Sequence, residues 1–183
     1  MLQKPAKPFA RSYWVVPGKL LAGCYPGSRN PVEISQKLEG LLNSGIRCVV
    51  NLMEGHETDH DGNSFADYEE PLKLMAKERG IDIKLVRHPI PDRGVPSKDQ
   101  MIGILDSIDD AVDRGLPVYV HCWGGVGRTG TVIGCYLARH GIANGSAAID
   151  RIKELRTADP TAYRTSPETG PQSQMVTAWM VGQ

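Results

Sequence analysis

The chain has 183 residues and 20.0 kDa, with 40% hydrophobic and 23% charged residues, which excludes disordered and fibrous classes and suits one domain. Lys plus Arg and Asp plus Glu number 21 each, and no apolar run approaches the ~18 residues of a membrane span, so neither nucleic acid nor a membrane is an expected partner. MLQKPAKPFARSYW has no apolar segment behind its basic start, and Cys24, Cys48, Cys122 and Cys135 lie too far apart for a zinc ribbon or disulfide framework, so the expectation is a reduced, cytoplasmic protein; a monomer is the default expectation.

Residues 1–12, with Lys-Pro twice, read as a flexible arm ahead of a single unit over 13–183. SYWVVPGKLLAG places two short apolar stretches around Pro17-Gly18, a hairpin. Asn30-Pro31-Val32-Glu33 is a helix start, Ile34, Leu38, Leu41 and Leu42 follow at helical spacing, and Gly45 ends the run. IRCVVNLM (46–53) has the continuous apolar character of a buried parallel strand. After polar EGHETDHDGNS come a helix from about Pro71 to Arg79 and a strand over 81–86. PIPDRGVP (89–96) is loop, and Ser97 to Gln100 form a capping box for an amphipathic helix that stops at Gly115. PVYVHC (117–122) is a further buried strand; helices follow over Arg128–His140, about Ala147–Arg156, and from about Glu168 to the end. Strands alternating with helices predict an α/β fold, a central mostly parallel sheet with helices on both faces and the active site at the strands' carboxyl ends.

The chemistry concentrates in Val118-Tyr119-Val120-His121-Cys122-Trp123-Gly124-Gly125-Val126-Gly127-Arg128-Thr129-Gly130. A buried strand delivers Cys122, five residues follow, and Arg128 opens a helix. Glycines let successive amides of Trp123, Gly124, Gly125, Val126 and Gly127 turn inward into an anion-binding cup, and the helix N-terminus adds its positive end. A cysteine thiolate is favoured in such a cup, and the Arg128 fork can take two phosphate oxygens. The combination points to covalent phosphoryl transfer without metal or cofactor.

HCWGGVGRTG resembles the H-C-x5-R-[ST] signature of cysteine-dependent phosphatases, and the chain's size and layout resemble the compact, dual-specificity-like branch of the protein tyrosine phosphatases from about residue 13 onward. That resemblance implies hydrolysis of phosphotyrosine, with phosphoserine and phosphothreonine in proteins as further targets, through a cysteinyl-phosphate; the partner would be a phosphorylated protein or peptide. It implies that Asp92, in a Pro-rich loop, is the general acid, although Asp beside Pro91 also suits a plain turn. It implies that the Thr129 hydroxyl assists release of the thiolate, that His121 holds the loop, and that Gln172 in SPETGPQSQ orients the attacking water; SPET also reads as a simple capping box.

Alternatives are weaker on the residues. Gly125-Val126-Gly127-Arg128-Thr129-Gly130 is formally G-x-G-x-x-G, but Asp150, at the distance of a ribose-binding acid, lies in a helical pattern. His56-Glu57-Thr58-Asp59-His60 is formally H-E-x-x-H, yet Gly55 and Asp61-Gly62-Asn63 flank it and no apolar face runs through it. It reads as a loop near the pocket rim, with Glu54 or His56 available to substrate. The resemblance keeps a phosphoinositide or other small-molecule phosphate as the alternative substrate, but branches of the family that act on phosphoinositides tend to place basic residues between the Cys and the Arg, and none of the five positions between Cys122 and Arg128 is basic, which lowers the phosphoinositide reading. A non-catalytic phosphate reader would be expected to lack the Cys, the Arg or the acid. Cys24, Cys48 and Cys135 read as buried hydrophobes, a resolving role staying open for Cys24 and Cys48.

Overall fold

The computed structural model describes residues 5–183. Five strands form one sheet in the order β1-β2-β5-β3-β4: β1 (Ser12–Val16), β2 (Leu20–Gly23), β3 (Cys48–Asn51), β4 (Lys84–Arg87) and β5 (Val118–His121). β1 pairs antiparallel with β2 through the expected hairpin, and the other pairings are parallel. β5 lies between β2 and β3, with His121 in register with both Gly23 and Asn51, so the central strand carries the chain to the carboxyl edge of the sheet.

Helices α1 (Pro31–Asn43) and α2 (Glu69–Glu78) cover one face; α3 (Lys98–Asp113), α4 (Gly127–Arg139), α5 (Ser146–Leu155) and α6 (Gly170–Ala178) cover the other. Strand alternation explains the two cores. Val118 and Val120 point with Cys48, Val50 and Ala22 toward Met101, Ile104, Leu105, Val132 and Ile133; Tyr119 points with Val49 and Leu21 toward Leu38, Leu41, Leu72 and Ala76. The Asn30 side chain accepts from the Val32 and Glu33 amides, and Ser97 with Gln100 forms the full capping box. At the end of α1, Gly45 takes φ +85, and the Gly45 and Ile46 amides close onto Leu42 and Leu41 carbonyls.

Several boundaries differ from expectation. The final helix stops at Ala178 because Trp179 leaves helical geometry to become buried, and the tail folds back so that the Gly182 amide reaches the Arg139 carbonyl. α2 begins two residues before Pro71, a residue that the first helical turn tolerates. β4 starts at Lys84 rather than 81, since the Ile81 amide is still occupied by the Ala76 carbonyl closing α2. The arm expected over 1–12 is, from residue 6, fastened: the Trp14 indole donates to the Ala6 carbonyl, Pro8 lies against Gly40, and Phe9 meets Tyr119 edge to face. Apolar Phe9 and Pro8 give these residues surface to bury. Residues 1–4 lie outside the described part. Among the described residues, no helix is long and apolar enough to cross a membrane.

Candidate active site

β5 hands over directly to the Cys122–Arg128 loop, and that loop opens α4. The carbonyls on the outside of the loop are each held. Trp123 O accepts from the Tyr25 amide at 2.9 Å, Gly124 O from Arg11 Nη2 at 2.7 Å, and Val126 O from the Ser166 hydroxyl at 2.7 Å. In a trans peptide the N–H points opposite to its C=O. Fixing these three carbonyls outward therefore turns the amides of Gly124, Gly125 and Gly127 inward, around Cys122. At Gly125, with φ +68, a Cβ would sit 2.6 Å from the Gly23 carbonyl carbon and 2.7 Å from the Cys24 nitrogen, so only glycine lets the loop lie against the end of β2. The Thr129 hydroxyl donates to Cys122 Sγ at 3.1 Å; its alternative acceptor, Gly23 O, is farther at 3.5 Å.

His121 is wholly buried, and burial pushes its pKa down to about 3. Its tautomer follows from its partners. Nδ1 lies 3.1 Å from the Cys122 carbonyl, which can only accept, so Nδ1 carries the hydrogen. In a neutral ring Nε2 is then an acceptor, and the Tyr68 hydroxyl donates to it at 2.6 Å. Tyr68 and His121 thus form a neutral post beneath the loop.

Arg128 is almost fully buried, and all four of its terminal N–H bonds have acceptors. Glu57 takes one from each nitrogen, Oε2 from Nη1 and Oε1 from Nη2, both at 2.7 Å. The Ile90 carbonyl takes the second of Nη1 at 3.0 Å, and Asp92 Oδ1 the second of Nη2 at 3.0 Å. The expectation of an open fork is corrected here: its two tips are already engaged by carboxylates, and an entering phosphate must displace Asp92 to gain Nη2.

Asp92 sits at the tip of a turn closed by the Gly94 amide on the Pro91 carbonyl at 2.8 Å, with Arg93 in left-handed geometry at φ +59. Gln172, fully buried, ties this turn to α6. Its Nε2 donates to the Gly94 carbonyl at 3.0 Å, and its Oε1 accepts the Glu168 and Thr169 amides at 3.1 Å. The capping box is therefore Thr169 with Gln172, three residues later than Ser166 would place it, and Gln172 Oε1 is committed to that cap.

The structure brings Cys122, Trp123, Gly124, Val126, Gly127, Arg128 and Asp92 around one cavity of about 370 Å³. Glu54 and His56 instead line a neighbouring hollow. From the same segment it is Glu57 that reaches Arg128 and His60 that joins the cavity, its ring 4.5 Å from that of Trp123. Glu57 was hidden inside the H-E-x-x-H decoy; the usable signal was that a buried arginine after a parallel strand requires a carboxylate, and the loop leaving the adjacent strand is the nearest source. Arg11, Arg93 and Arg164 also line the cavity and had no motif to mark them. Among the described residues, no three His, Cys, Asp or Glu side chains cluster to hold a metal. All four cysteines are free and buried; burial raises the Cys24 and Cys48 thiols, and pushes Cys135 up to about 12.

The chain is similar to known proteins. The family model described as "Polymorphic toxin system, DSP-PTPase phosphatase" matches residues 25–142. The mouse "Dual specificity protein phosphatase CDC14B" is 27% identical over 172 residues, covering 89% of this chain and 30% of the relative. The mouse "Protein tyrosine phosphatase domain-containing protein 1" is 28% identical over 154 residues, 84% of this chain and 20% of that one. The chain thus spans less than a third of either. A crystal structure of a mutant form of Tk-PTP superimposes with a TM-score of 0.61 at 25% identity, covering 91% of each chain. Kinase associated phosphatase, with its catalytic-site cysteine changed to serine, gives 0.64 at 20% identity over 86% of this chain and 83% of that one, a likeness of fold.

Proposed function

The chain belongs to the DSP-PTPase phosphatases of the polymorphic toxin systems, and on that premise we propose that it hydrolyses phosphate monoesters, phosphotyrosine in proteins first, with phosphoserine and phosphothreonine as further substrates. One observation carries the reading: Cys122 Sγ, hydrogen-bonded by Thr129, lies in the same cavity as Arg128 and Asp92.

In the proposed first step Cys122 Sγ forms a bond to phosphorus as the bond to the ester oxygen breaks, and protonated Asp92 hands its proton to that leaving oxygen. Loop amides and Arg128 hold the equatorial oxygens where charge spreads. In the second step the Asp92 carboxylate takes a proton from water, whose oxygen bonds to phosphorus while the sulfur leaves as thiolate, eased by the Thr129 hydroxyl. His121, held neutral, positions the Cys122 carbonyl and moves no proton. Gln172 holds the Asp92 turn in place. Nucleophile, oxyanion donors and acid all come from this chain, so the cycle calls for no added cofactor and for no second copy. The free thiols support a reducing, cytoplasmic setting.

The test is turnover of an aryl phosphate with a chelator present, by the parent and by Cys122→Ser. Activity in the parent and essentially none in the variant is expected. A parent that binds phosphopeptide without turnover would make the protein a phosphate reader, and chelator-sensitive turnover would overturn the thiolate mechanism.

A further inference from the structure

The three outward carbonyls of the Cys122–Arg128 loop have donors of different origin. Trp123 O is held by the Tyr25 amide and Val126 O by the Ser166 hydroxyl, both within the body of the sheet and helices. Gly124 O is held by Arg11 Nη2, from the segment ahead of β1, and no other donor reaches it among the described residues. The peptide from Gly124 to Gly125 has glycine on both sides, and a Cβ on Gly124 would meet nothing closer than 3.6 Å, so packing at Gly124 does not fix its orientation. Arg11 is placed there at a cost. Its Nε is buried without an acceptor, and it forms no ion pair among the described residues. A guanidinium free to swing into solvent would shed that cost, so something seats it.

The seat is built from the residues just before it. Beyond the last β1–β2 pair, Ser12 with Gly23, the Arg11 carbonyl accepts the Cys24 amide at 3.1 Å. The Phe9 carbonyl takes both the amide and the hydroxyl of Ser12, at 3.2 and 2.8 Å, and the Phe9 ring meets Tyr119 edge-on, 5.9 Å between centroids. Tyr119 in turn donates its hydroxyl to Cys24 O. Farther out, Lys7 Nζ reaches the Ala158 carbonyl at 2.8 Å, and the Trp14 indole reaches the Ala6 carbonyl at 3.2 Å. We propose that Arg11 is a positioning residue that holds the Gly125 amide toward the phosphate, and that residues 6–11 are the strap that seats it. The proposal rests on the phosphatase reading of the Cys122 cup. Arg11 acts through the Gly124 carbonyl: with that oxygen tied outward, the trans peptide points its N–H into the cup. Without the tie the amide is no longer held on the phosphate, and one donor to the developing charge is lost. Loosening Phe9 should have the same effect from a distance, since Phe9 carries no charge and does not line the catalytic cavity.

Nuclear magnetic resonance of isotope-labelled protein, with inorganic phosphate added to saturation, reads the loop amides directly. In the parent the amide protons of Gly125 and Gly127 should both move downfield as each donates to the anion. In Arg11→Met the Gly125 displacement should largely vanish, while Gly127, held through Val126 and Ser166, should respond as in the parent. Saturation removes affinity from the comparison, and Gly127 is an internal control, so general damage to the loop cancels. Turnover of an aryl phosphate by Arg11→Met should fall by about 10²-fold in kcat/KM. Phe9→Ala should show the same signature at smaller size, a partial loss at Gly125 with Gly127 unchanged. A Gly125 response in Arg11→Met equal to that of the parent would overturn the positioning role. A lost response in Arg11→Met beside a full one in folded Phe9→Ala would overturn the strap. If neither amide responds in the parent, the cup does not bind phosphate, and the phosphatase reading falls together with the proposal. The expected responses in a parent that turns over no ester would sustain the strap while defeating the hydrolytic reading.

Discussion

Glu57 grips Arg128 with both carboxylate oxygens at 2.7 Å, and both side chains are nearly sealed from solvent, 8% and 2% exposed. The pair joins the loop after β3 to the first turn of α4, so two crossover connections of the sheet meet at one guanidinium. It also fixes the plane of that guanidinium. With both Nη atoms held by Glu57, Ile90 and Asp92, the groups left for substrate are Nε and whatever Asp92 yields on Nη2.

Glu57→Gln should therefore damage both stability and turnover. The amide keeps one acceptor and turns a donor toward the other Nη, leaving a buried charge poorly matched. Losing one partner of a buried pair costs about 3 kcal/mol, or roughly 6–12 °C in melting temperature for a chain of this size. A fall in kcat/KM toward aryl phosphate should accompany it at temperatures where the variant is folded. Thermal unfolding with unchanged turnover of the folded protein would show Glu57 to be a structural partner alone.

Asp92 is pulled two ways. In its proposed role as the acid it must face the leaving oxygen, yet here it occupies Nη2 of Arg128 at 3.0 Å, with its side chain 48% exposed. Asp92→Asn should lower the rate on a poor leaving group such as phenyl phosphate by about 10²–10⁴-fold, and far less on an ester whose oxygen departs without a proton. Asp92→Ala, which vacates Nη2, should bind inorganic phosphate about two- to five-fold more tightly, the modest gain reflecting a half-exposed pair. Equal losses on both esters would place the acid elsewhere.

What the sequence disclosed and what it withheld follow one division. The strand, the cup and the helices were legible because period-2 and helical patterns, Gly45 and the Ser97 box are local signals. Cys122 and Arg128 stand six residues apart in one motif. Glu57, Arg11 and Arg164 lie 71, 117 and 36 residues from Arg128 in the chain and carry no pattern of their own. Sheet order alone brings Glu57 in, since β3 is the neighbour of β5. The N-terminal residues looked loose because two Lys-Pro steps obscured Phe9, whose ring finds Tyr119 only once the sheet exists.

Two adjacent glycines of the loop should respond oppositely to alanine. At Gly125 the added carbon meets the backbone of Gly23 and Cys24 at 2.6–2.7 Å, and φ is +68, so neither the neighbour nor the torsion can relax. Gly125→Ala should cost at least about 2 kcal/mol and open the cup, with a matching loss of turnover. At Gly124 nothing lies closer than 3.6 Å, so Gly124→Ala should leave the unfolding free energy within about 0.5 kcal/mol of the parent. Denaturant unfolding of the two variants side by side decides it; equal destabilisation would mean that the loop is not pressed on β2 as described.

The His121–Tyr68 post makes stability depend on pH in a defined direction. The pKa of His121 falls to about 3 in the folded chain because burial disfavours the imidazolium, against about 6.5 when unfolded. Above pH 6.5 both states are neutral and the group contributes nothing to the slope. Between 6.5 and about 3 the unfolded chain binds a proton that the native chain refuses, so stability drops by about 1.4 kcal/mol per pH unit from this side chain. His121→Asn can still donate an N–H to the Cys122 carbonyl but cannot titrate. It should be less stable than the parent near pH 7.5, where the Tyr68 hydroxyl loses its acceptor, and should show a shallower decline from pH 6 to pH 4. Tyr68→Phe removes the donor to Nε2 and should cost about 1–3 kcal/mol at pH 7.5 while the acid-side slope persists, since the buried histidine remains. Chemical unfolding at several pH values reads both variants; a His121→Asn slope equal to that of the parent would mean that this histidine is already charged in the folded protein, and the neutral post beneath the cup would have to be abandoned.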